Sequence, residues 1–387
     1  MRLGEYCPDC ERSNWFHIHQ WIERVFSALS VSSQPLPYWL DDAGNKLLLR
    51  LLCAVGLGRL RDDFSYDEIA PRAALFVREA RQRGIVCSIL QVGSTYTEHV
   101  VLEYLGKRYY FQSYPTGAHT NGPRAWTVHD KIATKRHLAE GGFPITQGQP
   151  YGFWQGRRAL KETPLAIGYP LVVKPRHGTY SRHVTTRIHD DNALGRAINH
   201  SLAYQPSFIV ERYLSGASVH RMTIIDFKLI AVAIQSRPHV VGNGTDPVSV
   251  LLARENGLRA KYADPMRQVM RISGFDTQGR KRIPRENEIV YSTDDPFVRN
   301  GATVRDSTET IAPENRELAE SIARYFDIKC AGIDIMLEDV SITWKGQRSA
   351  VLEINDLPSI EMHGTEGAGS RAVPAALVDL FIKYYAY

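Results

Sequence analysis

The segment "VLEINDLPSIEMHG", residues 351–364, alternates apolar side chains with side chains that carry oxygen atoms. Successive side chains of a β-strand point to opposite faces, so Leu352 and Ile354 share one face while Glu353 and Asn355 share the other. The apolar face is typical of a protein core. The opposite face offers carboxylate and amide oxygens side by side, which indicates a bound cation or a set of polar partners.

A second carboxylate lies within an apolar run, Asp334 in "AGIDIML". Burying a carboxylate is costly unless it is paired or bound to a cation. A magnesium ion takes a few protein oxygens and completes its shell with water and phosphate oxygens. Asp334, Glu353 and Asn355 on neighbouring strands therefore predict a magnesium site. Separate pairing of each carboxylate with an arginine is the alternative, and the triplet alone does not decide between the two.

Two segments upstream favour a ligand that carries phosphates. Lys174 stands at the end of the apolar strand "LVVKP", where an ammonium group could donate to phosphate oxygens, and the loop "PRHGTYSRH" could add backbone N–H groups. Glu211 lies in the extended segment "IVERYLSG", whose backbone could read an adenine edge while the carboxylate accepts from the exocyclic amine. The alternatives are a strand edge for Lys174 and an ordinary amphipathic strand for Glu211.

The composition is that of a globular protein, with 387 residues, 43% hydrophobic and 23% charged. The sequence has no apolar run long enough for a membrane span and no secretory signal at its start, so we expect a cytoplasmic protein without a membrane partner. The net charge of +5 suits an anionic small-molecule substrate. No nucleic-acid recognition signature is present, so nucleic acid is not an expected partner. A homo-oligomer is left open.

The five cysteines are an odd number, which argues against a complete disulfide framework. Cys7 and Cys10 form a C-x-x-C pair, and His17 and His19 follow closely. This spacing could belong to a zinc site, but a second pair of matching spacing is missing. We therefore interpret the pair as reduced thiols near the terminus and keep zinc as the alternative.

Local patterns predict several elements. The segment "DKIATKRHLAEGGFPIT" predicts a helix from about Asp130 to Gly141-Gly142, and residues 314–326 predict a charged amphipathic helix. The segment "HVVLEYLGKRYYFQSY" predicts a hairpin that turns at Gly106-Lys107. Residues 1–125 show no active-site motif, so we expect this region to support the rest of the chain or to shape a substrate pocket.

The order of these parts resembles the ATP-grasp enzymes, most closely the branch of cyanophycin-synthetase-like and glutathione-synthetase-like carboxylate–amine ligases. The resemblance is carried by "DKIATK", "PLVVKP", "VERYLSG", "RPHVVGNG", "GIDIM" and "LEINDLPSIEMHG", and it runs from about residue 126 to the end of the sequence. It implies an α/β (α+β) ATP-grasp fold in which two lobes, 126–210 and 211–387, sandwich ATP. Residues 1–125 would form a separate α/β region before them.

The resemblance also implies roles for individual residues. Lys131 and Lys174 would contact ATP phosphates, with Lys135 as a substitute for Lys131, and Arg221 would act with Lys174 in catalysis. The remaining assignments are an adenine hinge at Glu211, Arg212, Tyr213 and Leu214; a Mg²⁺ site, or Mn²⁺ in its place, at Asp334, Glu353 and Asn355; and substrate contacts at Arg237, His239, Arg305 and His363.

The sequence departs from the family pattern around the expected substrate site. The phosphate-covering loop keeps only Gly178 and adds bulk at Tyr180 and Arg182, whereas relatives have several glycines there. Further departures are Ala217 and Ser218 after the hinge, Ser359 in place of a glycine, and Arg299 and Arg305 around the segment that is glycine-rich in relatives. These differences predict a changed substrate pocket around a retained nucleotide site.

The function implied by the resemblance is ATP-dependent formation of an amide or peptide bond through an acylphosphate. The substrates would be a carboxylate and an amine from amino acids or short peptides. No protein nucleophile is required for this chemistry. A small-molecule kinase with the same nucleotide site and a nucleotide-binding scaffold without turnover are the alternatives.

Overall fold

The computed structural model describes residues 6–7, 9–10, 12–13, 15–29, 38–117, 119–179, 181–259, 277–293, 301–363 and 369–386. In chain order, the helices are α1 (Trp15–Leu29), α2 (Tyr38–Ala54), α3 (Pro71–Gln82), α4 (Lys131–Glu140), α5 (Gly156–Ile167), α6 (Asp191–Leu202), α7 (Val248–Arg259), α8 (Thr277–Lys281), α9 (Pro313–Phe326) and α10 (Gly369–Tyr385). The strands are β1 (Tyr6–Cys7), β2 (Arg12–Ser13), β3 (Gly58–Arg61), β4 (Val86–Val92), β5 (Thr95–Tyr104), β6 (Lys107–Gln112), β7 (Gly148–Gly152), β8 (Leu171–Pro175), β9 (Thr185–Ile188), β10 (Ser207–Arg212), β11 (Ser218–Ile225), β12 (Lys228–Ser236), β13 (His239–Val241), β14 (Ile289–Tyr291), β15 (Thr303–Asp306), β16 (Cys330–Leu337) and β17 (Ser349–Asn355).

The chain divides into two compact units that interleave along the sequence. The first unit comprises Met1–Pro35, Thr127–Ala217 and Arg348–Glu353, and the second comprises Leu36–Trp126, Ser218–Gln347 and Ile354–Tyr387. These division points differ from the domain boundaries expected from the sequence, 1–125, 126–210 and 211–387, and those domains remain a prediction. The N-terminal region is itself shared, since its first 35 residues belong to the first unit.

The first unit is built on an antiparallel sheet with the strand order β7-β10-β8-β9. Leu171, Val173, Phe208 and Val210 point to one face, where helices α5 and α6 cover them. Because side chains alternate along a strand, the intervening residues of β8 and β10 point to the opposite face. That opposite face carries the charged residues described below.

The second unit contains a five-stranded sheet in the order β15-β12-β11-β16-β17 and a four-stranded sheet in the order β3-β4-β5-β6. Every residue of β16 is buried, because the strand lies inside the sheet. Helix α10 packs on β11, β12 and α3, and Phe381 in its C-terminal half contacts the rings of Tyr104, Tyr109 and Phe111 from the four-stranded sheet. A single apolar core therefore joins both sheets of this unit.

Three elements predicted from the sequence are confirmed. Helix α4 begins after Asp130, whose carboxylate caps it by accepting from the Ile132 N–H at 2.9 Å, and it ends at Gly141. Helix α9 covers the predicted residues 314–326. The β5–β6 hairpin forms one residue earlier than expected, at Leu105-Gly106, where both residues have positive φ as a tight two-residue turn requires.

Among the residues that the structure describes, none of the helices is both long enough and apolar enough to cross a bilayer.

Candidate active site

A buried carboxylate held by two lysines lies on the charged face of the first unit's sheet. The β8–β10 register places Lys174 opposite Ile209, so Glu211, two residues further along, shares its face. The Lys174 Nζ lies 2.9 Å from Oε2 of Glu211, and the Lys135 Nζ from α4 lies 2.9 Å from Oε1. Thr146 completes the group by donating its hydroxyl to Oε2 at 2.9 Å.

Electrostatics keep this carboxylate ionised. Glu211 is only 2% exposed, and burial alone would raise its pKa, but the charges of Lys174 and Lys135 outweigh burial and lower the pKa to about 2. Burial lowers the pKa of Lys135, and the charge of Glu211 opposes that shift. Two ammonium groups therefore share one carboxylate, which leaves this part of the site with a surplus of positive charge.

Lys131 adds a third ammonium group. It is the first residue of α4, and its Nζ donates to the carbonyl oxygen of Gly178 at 2.6 Å. Burial lowers its pKa, while the charge of Glu353 raises it and that of Lys174 lowers it. The lysine thereby fixes the loop between β8 and β9 next to the other two lysines. Gly178 itself has φ +119°, and a Cβ there would stand 3.2 Å from the Tyr204 ring, so glycine is required.

The same face of the sheet borders a pocket. Its volume is about 530 Å³, and Ile132 and Lys135 of α4 line it together with Thr146, Gly148 and Ile209. This volume lies within the range of small-molecule sites.

The predicted hinge residues follow directly at the end of β10. The backbone N–H of Arg212 donates to Gln147 O at 2.8 Å, and that of Tyr213 donates to Pro170 O at 3.0 Å. The Arg212 guanidinium donates to the carbonyls of Ile167 and Tyr169. The hinge role of residues 211–214 remains a prediction, and the carboxylate of Glu211 serves here to hold the lysines.

In the second unit, Asp334 pairs with Arg221 across β16 and β11. The two residues stand opposite each other in the register, and the guanidinium donates twice, from Nε to Oδ1 at 2.6 Å and from Nη2 to Oδ2 at 2.9 Å. Both side chains are buried. The sequence left open whether Asp334 pairs with an arginine, and the structure shows that it does. The metal-binding role of Asp334 and the catalytic role of Arg221 remain predictions.

The oxygen-bearing strand segment is confirmed as β17, with Glu353 and Asn355 on one face. The Asn355 Nδ2 donates to Gly332 O on β16 at 3.5 Å, and Gly332 shares a strand face with Asp334. The Asn355 amide oxygen therefore remains as an acceptor. A carboxylate has about four lone-pair positions, so Asp334 can accept from Arg221 and still coordinate a cation. Carboxylate and amide oxygens are the ligands that Mg²⁺ takes, and this donor set fits that ion.

The four residues predicted to contact substrate have different surroundings, and their role remains a prediction. His363 is buried, its Nε2 lies 2.8 Å from Thr223 Oγ1, and burial followed by the Arg221 charge lowers its pKa to about 4. Arg237 lies over the Tyr291 ring, 3.7 Å from its centroid, and its carbonyl accepts from His239 Nδ1. Arg305 on β15 is exposed. Arg299, Tyr180 and Gly364 lie outside the described residues.

Comparison with known proteins identifies relatives of two kinds. No family model matches the chain. A cyanophycin synthetase from a Nostoc species is 30% identical over 270 residues, which cover 65% of this chain and 29% of that protein. The glutathione biosynthesis bifunctional protein GshAB of Desulfotalea psychrophila is 23% identical over 302 residues, which cover 75% of this chain and 38% of the relative. The chain thus spans about a third of the length of these curated relatives.

Among solved structures, the bifunctional glutathione synthetase from Pasteurella multocida matches 82% of this chain and 44% of its own, with a TM-score of 0.59 and 19% identity. At this level of identity, the likeness shows a shared fold. The ATP-grasp fold expected from the sequence is therefore confirmed, as mixed α/β architecture with antiparallel sheets.

Two residues next to Glu211 gave no signal in the sequence. Thr146 looks like an ordinary loop threonine, and Gly148 carries no motif. The structure explains the glycine, because a Cβ at position 148 would lie 2.6 Å from Glu211 Cγ and 3.1 Å from the Lys135 Nζ.

We predict that acid weakens the first unit through Glu211. The pKa of this carboxyl is lower in the folded chain than its ordinary value of 4.5, so its contribution to stability is present above pH 4.5 and is lost as the pH falls towards about 2. The difference in unfolding free energy between the wild type and Glu211→Gln should therefore shrink as the pH falls, measured by urea unfolding at successive pH values. A constant difference would contradict the charge assignment.

We also predict that Gly148→Ala destabilises the chain by about 1–3 kcal/mol, because the added methyl group must displace the Glu211–Lys135 pair. The matched control is Gly156→Ala at the start of α5, where a Cβ makes an ordinary 3.6 Å contact with Ile198. The control should be neutral or stabilised by about 0.4–1 kcal/mol. Equal urea midpoints for the two variants would contradict this prediction, because they would show that the structure accommodates a Cβ at position 148.

Proposed function

We propose that the chain is an ATP-dependent carboxylate–amine ligase that forms an amide or peptide bond through an acylphosphate. The observation that carries this proposal is the gathering of ammonium groups in the first unit, where Lys135 and Lys174 share the buried carboxylate of Glu211 and Lys131 adds a third ammonium group at Gly178. A buried cationic cluster of this kind is completed by an anion, and the phosphates of a nucleotide supply that charge.

The relatives support the choice of ligase chemistry. Their names describe the synthesis of cyanophycin and of glutathione, and the fold matches that of a glutathione synthetase. Because the chain covers only about a third of those curated relatives, the activity and the substrate class are our proposal for this chain. Amino acids or short peptides are the proposed acid and amine.

In the proposed reaction, a substrate carboxylate attacks the γ-phosphate to give an acylphosphate and ADP, and an amine then displaces inorganic phosphate. Lys174 and Lys131 bind the phosphates and neutralise charge during the in-line transfer. Arg221 donates to the oxyanion that forms when the amine adds to the acyl carbon. Residues 211–214 position the adenine.

Asp334, Glu353 and Asn355 are the proposed Mg²⁺ ligands, with Mn²⁺ as a substitute. When bound, the ion would neutralise phosphate charge and align the nucleotide for transfer. Within the chain, Arg221 holds the Asp334 carboxylate in a fixed orientation, and the Gly332 carbonyl orients the Asn355 amide.

The proposal predicts that ATP is converted to ADP and inorganic phosphate only in the presence of a suitable acid and amine. A panel of amino acids and dipeptides, scored by phosphate release and by mass spectrometry of the products, identifies the pair. With the acid alone, hydroxylamine should trap the acylphosphate as a hydroxamate. Glu353→Gln should lower kcat/KM by about a hundredfold or more, because a metal ligand contributes several kcal/mol of charge stabilisation.

Glu338→Gln is the matched control, since Glu338 is an exposed carboxylate just beyond β16 and should leave kcat/KM unchanged. A stable phosphorylated product without a hydroxamate would identify a kinase instead. Binding of ATP without turnover across the whole panel would identify a nucleotide-binding scaffold. An unchanged rate in Glu353→Gln would remove that residue from the metal site.

A further inference from the structure

Two cysteines and two histidines that take no part in the pairing of Glu211 meet in the first unit. Cys7 on β1, Cys10, His17 on α1 and His183 in the loop before β9 are all buried. The His183 Nε2 lies 3.5 Å from Cys7 Sγ and 3.3 Å from Cys10 Sγ, and the His17 Nε2 lies 3.2 Å from Cys10 Sγ. All four ligand atoms lie within 4.8 Å of one another.

These separations fit a tetrahedral metal ion. Zinc binds thiolate sulfur at about 2.3 Å and imidazole nitrogen at about 2.0–2.1 Å, so neighbouring ligand atoms of a tetrahedral site stand roughly 3.3–3.8 Å apart. The three sulfur–nitrogen distances, 3.2–3.5 Å, lie within about 0.4 Å of the roughly 3.6 Å expected between a sulfur and a nitrogen ligand of one such site.

The surrounding contacts orient a ligand towards the centre of the group. His183 Nδ1 lies 2.7 Å from the carbonyl oxygen of His200, which can only accept, so the hydrogen is on Nδ1 and the lone pair of Nε2 points to the cysteines. The ring of Tyr204 stacks on His183 at 5.0 Å and meets His17 edge-on at 5.8 Å. These rings exclude water from the group.

We propose that Cys7, Cys10, His17 and His183 bind a structural zinc ion, which fastens the N-terminal segment to the loop between β8 and β9. Two sulfur and two nitrogen ligands select zinc over magnesium, which prefers oxygen. All four positions are filled by protein, which is the pattern of structural sites rather than catalytic ones. The ligand that the local spacing in the sequence did not reveal is thus His183, 173 residues beyond Cys10.

A reactive cysteine is the rival interpretation, and the surroundings argue against it. Catalytic cysteines are partly exposed and have a lowered pKa. Cys10 is only 1% exposed, so its thiol is not accessible to a substrate. Both cysteines are free thiols in the structure.

The site gives the loop a second attachment. Lys131 holds Gly178 at the start of the loop, and the proposed zinc holds His183 near its end. The sequence resemblance makes this loop the one that covers the ATP phosphates, so any effect of the zinc site on ATP binding rests on the proposed function. Zinc binding itself can be measured without any nucleotide.

The test is the zinc content of the full chain, purified under reducing conditions and dialysed against Zn²⁺ followed by metal-free buffer. We expect one zinc ion per chain. Cys10→Ser and His183→Ala should lower zinc affinity by about tenfold or more, since even residues that only support metal ligands contribute that much. His19→Ala is the matched control and should keep the zinc, because His19 is exposed and points roughly 200° away from His17 on α1.

Substitution of Co²⁺ for Zn²⁺ provides a readout that does not depend on the stability of any variant. The wild-type chain should show the thiolate-to-cobalt charge-transfer band and the intense d–d bands of a tetrahedral site. A wild-type chain without zinc and without these bands would overturn the proposal. Loss of zinc in His19→Ala equal to that in His183→Ala would also overturn it.

Limited trypsin digestion tests the tether. Chelation of the metal should speed cleavage after Arg182 in the loop by about tenfold or more, while the cleavage rate at Arg61, on β3 of the second unit, stays unchanged. Equal protection of Arg182 with and without zinc would overturn the tether. Because these measurements use no ATP, their failure leaves the ligase proposal standing, and failure of the ligase assay leaves the zinc site standing.

Discussion

The charge balance around Glu211 constrains much of the first unit. A carboxylate in a buried strand is stable only when cations hold it ionised, and here the cations come from two different elements, Lys174 on β8 and Lys135 on α4. The register between β8 and β10 and the position of α4 over the sheet are therefore coupled, because a shift in either would move a lysine away from Glu211. Gly148 on β7 belongs to the same constraint, because any larger residue would occupy the space of the pair. The cost of holding extra ammonium groups in this place is lowered when an anion binds.

The second unit resolves a similar problem differently. Asp334 and Arg221 form a one-to-one pair inside the sheet, where both carboxylate oxygens accept from one planar guanidinium. This pair is neutral as a whole, whereas the lysine cluster carries surplus charge. A cation coordinated by Asp334 would have to lie on the side of the carboxylate that Arg221 does not occupy. The arginine consequently fixes the direction from which a cation can approach Asp334. A carboxylate on a flexible surface segment would leave more directions open.

The sequence predicted the elements that local patterns encode. Asp130 and Gly141 mark the ends of α4, and the alternation around Glu353 marks β17, because caps and strand periodicity depend on neighbouring residues only. The order of these motifs also predicted the ATP-grasp fold. Pairings between distant segments were beyond local patterns. The partner of Asp334 depends on the β11–β16 register, and the residue that joins Cys7, Cys10 and His17 lies in another part of the chain.

The unusual loop between β8 and β9 becomes intelligible from these long-range contacts. A loop rich in glycine reaches left-handed conformations without strain, but this loop uses Ser181 at φ 52° and His183 at φ 54°. Non-glycine residues in that region cost about 1–3 kcal/mol each. Structural zinc sites contribute about 10–16 kcal/mol, which is ample to hold two strained residues in place. The small number of glycines and the metal ligand in this loop are therefore related. Contacts made by side chains, instead of the conformational freedom of glycine, determine the shape of the loop.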